Sequence, residues 1–577
     1  MIKTWKIGGE AGFGIMVSGT TFSRSLARAG LYLVETSEYP SLIRGGHNTV
    51  AVTFSEKPVY APYKPVDILV ALNKETVIFH KDELAPGASV LYDGTSYDIS
   101  QENLRPDAVF FSIPFGKLIK ESGGEMIMRN TVALGASIAV LGLPFEHLAH
   151  ILTAQFTKKG QKVVDFNITV AKSGYDYIVV NYKEKITPMK IEKKEKEQMV
   201  ITGAEASGLG AIAAGIKFFA AYPMTPINAL LSYMAAVQVK GNFIYKQPED
   251  EIAAINMAIG ASFSGARSMV ATSGGGFSLM VEGTSLAGMV EQPVVIIMGM
   301  RPGPATGLPT WTGQADLHFI LNASQGEFPR IVLAPGDMEE MFKLTAEAFN
   351  LADRYQTPTF VLVDKYLFEA RFTTNVFHPE EIVIDRGKLL SYEDQIKTPD
   401  HNRFQFTEDG ISPRGIPGRP GGVFRANSDE HNEAGYSDEE AANTAKMIEK
   451  RMKKQQMANM AVPAPIVYGD ADAEITFSGW GSTKGAILEA IKKLKVQNSN
   501  LKVNYMHVNY INPFPSEAVE QILKNAKRVV DVEGNHNGQL ADLIRMKTGI
   551  YIKDRILKYD GRPFYPEDII EGVKKII

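Results

Sequence analysis

The sequence predicts an α/β protein of several domains, and three observations carry that prediction. Short apolar runs, including Phe218–Tyr222, Ser268–Thr272 and Thr359–Val363, alternate with helix-period segments. Strands that are apolar on both faces and separated by helices belong to parallel sheets covered on both sides. The chain has 577 residues, which at about 150 residues per domain makes roughly three to four domains. Two tracts interrupt the alternation. One is the charge run Glu192-Lys193-Lys194-Glu195-Lys196-Glu197, the other the Pro/Gly-rich stretch from Ser412 to Gly422.

Composition excludes several classes. The chain is 45% hydrophobic and 22% charged with a net charge of -4, ordinary for a globular protein. It carries no basic footprint for nucleic acid and no apolar run near the ~18 residues of a membrane span. Met1-Ile2-Lys3-Thr4-Trp5 runs at once into glycines, the wrong pattern for a signal peptide, so a cytoplasmic location is expected. The absence of cysteine excludes disulfides, thiolate chemistry and any iron–sulfur cluster held by this chain's own cysteines. His147 and His150 lie on an amphipathic helical stretch and read as a solvated face rather than a metal site.

The elements follow in order. In the first region, 1–184, the strand Thr4–Ile7 enters Gly8-Gly9-Glu10-Ala11-Gly12-Phe13-Gly14 and a helical pattern to Ala29. Such a strand, turn and helix can bring backbone N–H groups to a phosphate, or can simply be a tight turn. Asp67–Leu72 reads as a central strand. Residues 185–198 read as a charged linker. In 199–370, further strands are expected at Phe243–Lys246, Pro293–Met298 and Arg330–Leu333. Residues 371–460 form an irregular arm ending in a charged helix from Glu439, either a functional loop or a passive linker. In 461–577 the β/α pattern returns, with strands at Ala473–Ser478, Lys502–Val508 and Arg528–Val532.

The chemistry-bearing segments lie in 199–370. Tyr222-Pro223-Met224-Thr225-Pro226, Glu249-Asp250-Glu251 and Thr272-Ser273-Gly274-Gly275-Gly276 each stand just past an apolar strand, where open α/β sheets bind ligands. A carboxyl on an apolar wall, its pKa raised by desolvation, is what thiamin diphosphate needs beside its aminopyrimidine ring. Glu251 opens an Ala-rich helix. The alternative is a helix N-terminal acid favoured by the macrodipole, a role better suited to Glu249 and Asp250. Thr225 between two prolines either orients a substrate oxygen or caps a helix starting at Pro226. Arg301, directly after a strand, offers a planar fork for a carboxylate or lies on the surface. Ser273 to Gly276 either bring N–H groups to a cofactor or serve packing.

Together these segments resemble the 2-oxoacid:ferredoxin oxidoreductases. YPMTP is similar to the family's YPITP, with Met224 for Ile, and is followed by EDEIAAINMAIGAS and TSGGGFSLMVE. Arg301-Pro302-Gly303-Pro304-Ala305-Thr306-Gly307-Leu308-Pro309-Thr310 is close to RxGPSTGxPT. GGEAGFG and Arg44-Gly45-Gly46 resemble the family's gamma module, and Pro513-Phe514-Pro515 with VEGNHNGQL its transketolase-C-terminal-like domain. The resemblance implies a gamma module (1–184), a pyrimidine-binding thiamin diphosphate domain (199–370) and a transketolase C-terminal-like domain (461–577).

It further implies that Glu251 contacts the pyrimidine, that Thr225 and Arg301 bind substrate, and that Tyr222, Pro223, Ser273 and Gly274 lie at the cofactor. The family's GDG diphosphate motif is reduced here to Gly469-Asp470-Ala471-Asp472, which reads as a surface turn. Mg2+ and a [4Fe–4S] cluster are then expected on a beta subunit, in an (alpha–beta)2 assembly serving ferredoxin and using coenzyme A. The fused gamma–alpha order favours 2-oxoglutarate, with a broad-range or pyruvate-active enzyme as the alternative. A transketolase- or E1-like thiamin enzyme and a non-catalytic subunit are the remaining readings.

Overall fold

Thr4–Ile7 was expected to be a short strand, yet in the computed structural model it lies inside a nine-residue one, Ile2–Glu10 (β1). The ladder explains the extension, since Gly8, Gly9 and Glu10 pair with Thr49, Asn48 and His47. The structure describes residues 2–41, 46–189, 191, 197–398 and 402–576. Arg44, Gly45 and most of the charge run at 192–197 lie outside the described residues.

The chain divides into two compact units. The first comprises Met1–Ile201, Ala370–Val376 and Tyr565–Glu571. Its strands are β1, β2 (Tyr32–Glu38), β3 (His47–Ser55), β4 (Val66–Ala71), β5 (Leu84–Tyr92), β6 (Val109–Ser112) and β7 (Gln198–Thr202), joined by β14 (Arg371–Asn375). They form one mixed sheet in the order β6-β5-β4-β1-β3-β2-β14-β7. Gly14, at φ 73, turns the chain into the helix Ile15–Arg28, a conformation glycine adopts without steric cost. That helix packs Phe22 on Trp5, with ring centroids 4.1 Å apart, over a core of buried aliphatic and aromatic residues.

The second unit comprises Thr202–Glu369, Phe377–Phe564 and Gly572–Ile577. Here β8 (Phe218–Ala220), β9 (Ile244–Lys246), β10 (Ser268–Ser273), β11 (Val294–Met300), β12 (Ile331–Leu333) and β13 (Pro358–Asp364) are parallel neighbours. Strands β10, β11 and β13 are buried at every position, as two-sided cover by helices requires. A second sheet contains β15 (Ile466–Gly469), β16 (Ile475–Gly479), β17 (Val503–His507), β19 (Val529–Glu533) and β20 (Asp554–Leu557). Between β17 and β19, β18 (Tyr510–Asn512) leaves this region and pairs antiparallel with β12. The parallel sheet and the C-terminal region thereby share one core, in which Trp480, Met506 and Leu540 pack with Ile255, Met298 and Leu362.

The arm between β14 and the helix Ala441–Ala461 is mostly non-regular, but several charged residues of the arm and of that helix are buried. Arg414 donates to Asp353 at 2.8 Å, as does Arg267, and all three are buried. Lys450 donates to both carboxylate oxygens of the fully buried Glu291, at 2.6 and 2.8 Å, and Lys454 pairs with the same carboxylate. Arg403 donates to the Glu291 carbonyl at 2.7 Å. The two ammonium groups hold the Glu291 carboxyl far below the usual carboxylate range, against the opposing effect of burial.

Breaking a buried ion pair strands the partner charge and costs about 3–5 kcal/mol. Glu291→Gln, which leaves Lys450 and Lys454 uncompensated, is therefore expected to lower the unfolding free energy obtained from urea denaturation by about 3–5 kcal/mol, with a lowered midpoint. A midpoint unchanged from the parent chain refutes the account.

Candidate functional site

The register of the parallel sheet brings the predicted segments to one edge. Ser273 at the end of β10 pairs with Gly299 of β11, and Val270 with Ala220 of β8. Tyr222 and Thr225, Ser273 and Gly274, and Arg301 therefore all leave the sheet at its carboxyl end, where open α/β sheets form their binding crevice.

Glu251 is the first residue of the helix Glu251–Phe263, and Asp250 is its N-cap, accepting from the Ala253 N–H at 2.7 Å. Asp250 thus takes the capping role and leaves the Glu251 side chain free to turn inward. Glu251 is only 3% exposed, and its Oε1 has no hydrogen-bond partner. It lies against the first turn of the helix Gly274–Met289. A Cβ at residue 276 would stand 2.4 Å from that oxygen and 2.1 Å from Thr272 Oγ1. Only glycine leaves room for the carboxyl there. Burial pushes the Glu251 carboxyl above its usual range, and the Asp250 charge adds to the push. A water-shielded carboxyl with an unused oxygen can, when protonated, donate a hydrogen bond to a ring nitrogen. The donor set therefore suits the aminopyrimidine of thiamin diphosphate.

Thr225 is half-buried, and its peptide bond to Pro226 is cis. The helix expected from Pro226 begins instead at Asn228, with Ile227 at the N-cap, so Thr225 does not cap it. The backbone carbonyl of Thr225 accepts from Arg301 Nη1 at 2.9 Å. This bond ties the half-buried guanidinium to the YPMTP turn, and its other N–H groups have no partner among the described residues. Tyr222 is 37% exposed and Pro223 is exposed. Ser273 is fully buried with an unpartnered Oγ and makes no side-chain cap bond. A Cβ at Gly275 would meet nothing within 4 Å, so the backbone there faces open space.

Sequence reasoning missed Asp316. It precedes the helix Leu317–Asn322 in the N-cap position but makes no side-chain cap bond. Its Oδ2 lies 3.1 Å from where a Cβ of Gly274 would stand. Burial pushes its pKa up to about 6, opposed by the charge of Arg301. The segment around it is clamped by the C-terminal region. Gln539 donates to the Ala315 carbonyl at 2.8 Å and accepts from the His318 N–H at 3.2 Å. Asn535 donates to the Gln314 carbonyl at 3.1 Å. Part of VEGNHNGQL is therefore a brace for the site loop. By contrast, the carboxylates of Gly469-Asp470-Ala471-Asp472 pair with surface lysines, Asp470 with Lys495 and Asp472 with Lys502.

Residues 209–452 match the family described as pyruvate flavodoxin/ferredoxin oxidoreductase, thiamine diphosphate-binding. Residues 4–177 match the pyruvate ferredoxin/flavodoxin oxidoreductase domain, and 473–569 match core domain II of pyruvate:ferredoxin oxidoreductase. The 2-oxoacid:ferredoxin oxidoreductase subunit alpha of Saccharolobus solfataricus is 34% identical over 635 aligned positions, covering 100% of this chain and 98% of its own. The chain belongs to the 2-oxoacid:ferredoxin oxidoreductases. Members of this family are oxidoreductases, and the multidomain α/β architecture expected from the sequence is the one observed.

The 2-oxoglutarate synthase subunit KorA of Methanothermobacter thermautotrophicus is 30% identical, covering 66% of this chain and 99% of its own. A solved structure, the 2-oxoglutarate:ferredoxin oxidoreductase of Magnetococcus marinus with 2-oxoglutarate, coenzyme A and succinyl-CoA bound, superposes with a TM-score of 0.92. It is 32% identical and covers 100% of this chain and 99% of that one. Among the described residues no helix is long and apolar enough to cross a membrane.

Glu251→Gln removes a buried carboxyl without changing its shape. A carboxyl whose folded pKa is raised costs stability as pH rises above its unfolded value. The variant is therefore expected to melt at a temperature close to the parent's at pH 4 and above the parent's at pH 8. A difference that does not grow with pH contradicts the burial argument. Gly276→Ala, in contrast, is expected to destabilise by about 1–3 kcal/mol through overpacking, read as a lowered midpoint in the same melts.

Proposed function

We propose that this chain is the alpha subunit, with a fused gamma module, of a thiamin diphosphate-dependent 2-oxoacid:ferredoxin oxidoreductase. It carries out the oxidative decarboxylation of a 2-oxoacid with coenzyme A to acyl-CoA, CO2 and reduced ferredoxin, and 2-oxoglutarate is the favoured substrate. The buried, unpartnered carboxyl of Glu251 beside Gly276 carries this reading.

Thiamin diphosphate, when bound, supplies the electron sink that decarboxylation needs. This chain's residues do the rest of the work on their side. Glu251 holds a proton at Oε1 or Oε2 for the pyrimidine ring nitrogen. The Gly274 helix excludes water from that proton by packing Gly276 against it. Arg301, fixed on the Thr225 carbonyl, offers its remaining N–H groups to the carboxylate common to all 2-oxoacids. The Thr225 hydroxyl orients an oxygen of the same substrate. Tyr222, Pro223, Ser273 and Gly274 complete the cofactor-facing wall.

The missing half of the site belongs to a beta subunit that brings Mg2+ and the [4Fe–4S] cluster, in an (alpha–beta)2 assembly in the cytoplasm. The outer faces of the two helices flanking Glu251 support this, for Ile252, Met257 and Leu279 stand 43–49% exposed there. Apolar side chains grouped around a polar site mark a surface that a partner covers. The KorA relatives and the Magnetococcus marinus enzyme favour 2-oxoglutarate over the broad-range or pyruvate-active alternative.

The test is anaerobic viologen reduction by the chain co-purified with its partner, with coenzyme A and with 2-oxoglutarate, pyruvate or a branched 2-oxoacid. Selective turnover of 2-oxoglutarate is expected. Glu251→Gln is expected to lower kcat by about 10²- to 10⁴-fold, the range for a positioned acid–base group. Arg301→Lys, which loses the bidentate fork, should mainly raise KM. Turnover of several oxoacids moves the substrate to the broad-range alternative. No reduction by a complex holding cofactor and cluster rejects the function.

A further inference from the structure

We propose that Gln314 is a positioning residue for the 2-oxoacid reaction: its buried side-chain amide locks the loop that carries Arg301 onto the C-terminal sheet, and so sets where the guanidinium stands. The proposal rests on the reading of Arg301 as the substrate-carboxylate site.

The loop runs from Arg301, just past β11, to Asp316, just before the helix Leu317–Asn322, with no regular element between. Among the described residues Arg301 makes one hydrogen bond, to the Thr225 carbonyl. The hydrogen bonds of residues 302–311 stay inside the loop. The Leu308 N–H donates to the Pro302 carbonyl at 3.0 Å, and the Trp311 N–H to the Leu308 carbonyl at 3.2 Å. Residues 312–314 are tied outward. The Thr312 hydroxyl donates to Asp364 at 3.0 Å, and its N–H donates to the Gly561 carbonyl at 3.1 Å. Asp364 is itself paired with Met300, the residue before Arg301. Pro302, the residue after Arg301, rests on the same segment. A Cβ at residue 313 would stand 3.4 Å from Pro302 Cγ and 3.6 Å from its Cα, ordinary van der Waals distances. The two ends of the loop therefore lie against each other, and the place of residue 313 sets that of Pro302 and of the arginine joined to it.

Gln314 is the firmest of these ties. It is only 2% exposed. Its N–H donates to the Gly534 carbonyl at 2.8 Å, and its carbonyl accepts from Asn535 at 3.1 Å. Its side chain repeats the pattern. Nε2 donates to the Trp480 carbonyl at 3.0 Å, and Oε1 accepts from the Gly534 N–H at 2.8 Å. One partner can only accept and the other can only donate, so a single orientation of the amide satisfies both. The socket is built for this group. A Cβ at Gly481 would stand 2.9 Å from Nε2, and one at Gly534 would stand 3.0 Å from Oε1. The socket is rigid as well, because the buried Glu533 carboxylate accepts from both Trp480 Nε1 and Asn535, at 3.0 and 2.9 Å.

Cohesion of the fold does not account for this clamp. The parallel sheet and the C-terminal region already share an apolar core, and β18 pairs with β12. What the Gln314 side chain adds is a fixed path for a loop with few ties of its own. Without the amide, the loop samples paths on which Arg301 is misplaced, and apparent affinity falls with the fraction of molecules that keep the competent one. Two side-chain hydrogen bonds are enough to change that fraction by roughly tenfold. A bound carboxylate draws the arginine back, so binding suffers more than the chemical step.

Calorimetry on the chain assembled with its partner subunit tests this with two kinds of probe. N-oxalylglycine and oxamate, inert 2-oxoacid analogues, are titrated into the complex loaded with thiamin diphosphate. Thiamin diphosphate itself is titrated into the complex stripped of it. Gln314→Met keeps the volume and removes both side-chain bonds. Gln314→Glu is isosteric, keeps the bond from Gly534 and sets an anionic oxygen against the Trp480 carbonyl. In each variant the analogue Kd is expected to weaken by roughly tenfold, and KM for the oxoacid to rise by more than kcat falls. The Kd of thiamin diphosphate, read above as bound at Glu251, should stay within about twofold. An analogue Kd unchanged in both variants, or a loss shared equally with the cofactor, overturns the proposal and leaves the Arg301 reading intact. Failure of both variants to assemble also overturns it, because Gln314 is then a residue of the fold. Analogue binding that survives Arg301→Ala at the parent's strength removes that reading, and this proposal with it.

Discussion

The constraint on which the site depends is the contact between Glu251 and the first turn of the Gly274 helix. The carboxyl oxygen and the Thr272 hydroxyl leave no volume for a side chain at position 276. Three elements must meet there: the start of the Glu251 helix, the end of β10 and the helix that follows it. The parallel sheet provides the meeting place, because successive strands deliver their carboxyl ends to one edge. Asp250 makes the inward turn of Glu251 feasible by capping the helix itself. Without that division of labour, the first acid of the helix would be drawn to the free N–H groups and away from the site.

The way this unit treats its other buried charges sets the site apart. Asp353 is met by Arg267 and Arg414, Glu291 by Lys450 and Lys454, and Glu340 by Lys484 and His507. Each pair offsets the cost of leaving water, and each ties elements distant in sequence. Among the described residues Glu251 and the partly exposed Asp316 have no charged partner within ion-pair distance, and burial raises both, as it raises Asp364, whose Oδ2 is also unpartnered. Asp531 is also raised, by burial and by Glu533 beside it, but Ser478 donates to it and it lies inside the C-terminal sheet. Unpaired carboxyls at the open edge of a parallel sheet are a different matter, because that edge is where ligands enter.

Much of this was legible in the chain itself, for a physical reason. Strand periodicity, a helix-opening acid and an arginine straight after a strand are local features, and β10, β11, Glu251 and Arg301 follow from them. The arm was not legible. Arg403, Arg414, Lys450 and Lys454 read as ordinary surface charges, because their partners Glu291 and Asp353 are remote in sequence. Asp316 was hidden in the same way. On its own stretch it is a plain N-cap before Leu317, and only Gly274 and Arg301, brought close by the sheet register, give it another meaning. Of the two readings of Thr225, the helix cap does not hold, because the chain needs two more residues after Pro226 to enter the helix.

The two unpaired carboxyls also bracket one structural feature from opposite sides, with Asp316 at Gly274 and Glu251 at Gly276. A helix N-terminus favours the ionised form of a nearby acid, so proximity alone would lower both pKa values. Burial prevails at both. Burial raises the Glu251 carboxyl where a proton is needed, and it raises the Asp316 carboxyl beside Gly274 as well. The glycines at 274 and 276 are what allow both acids to come this close, so the run of small residues after β10 sets the shape of the site.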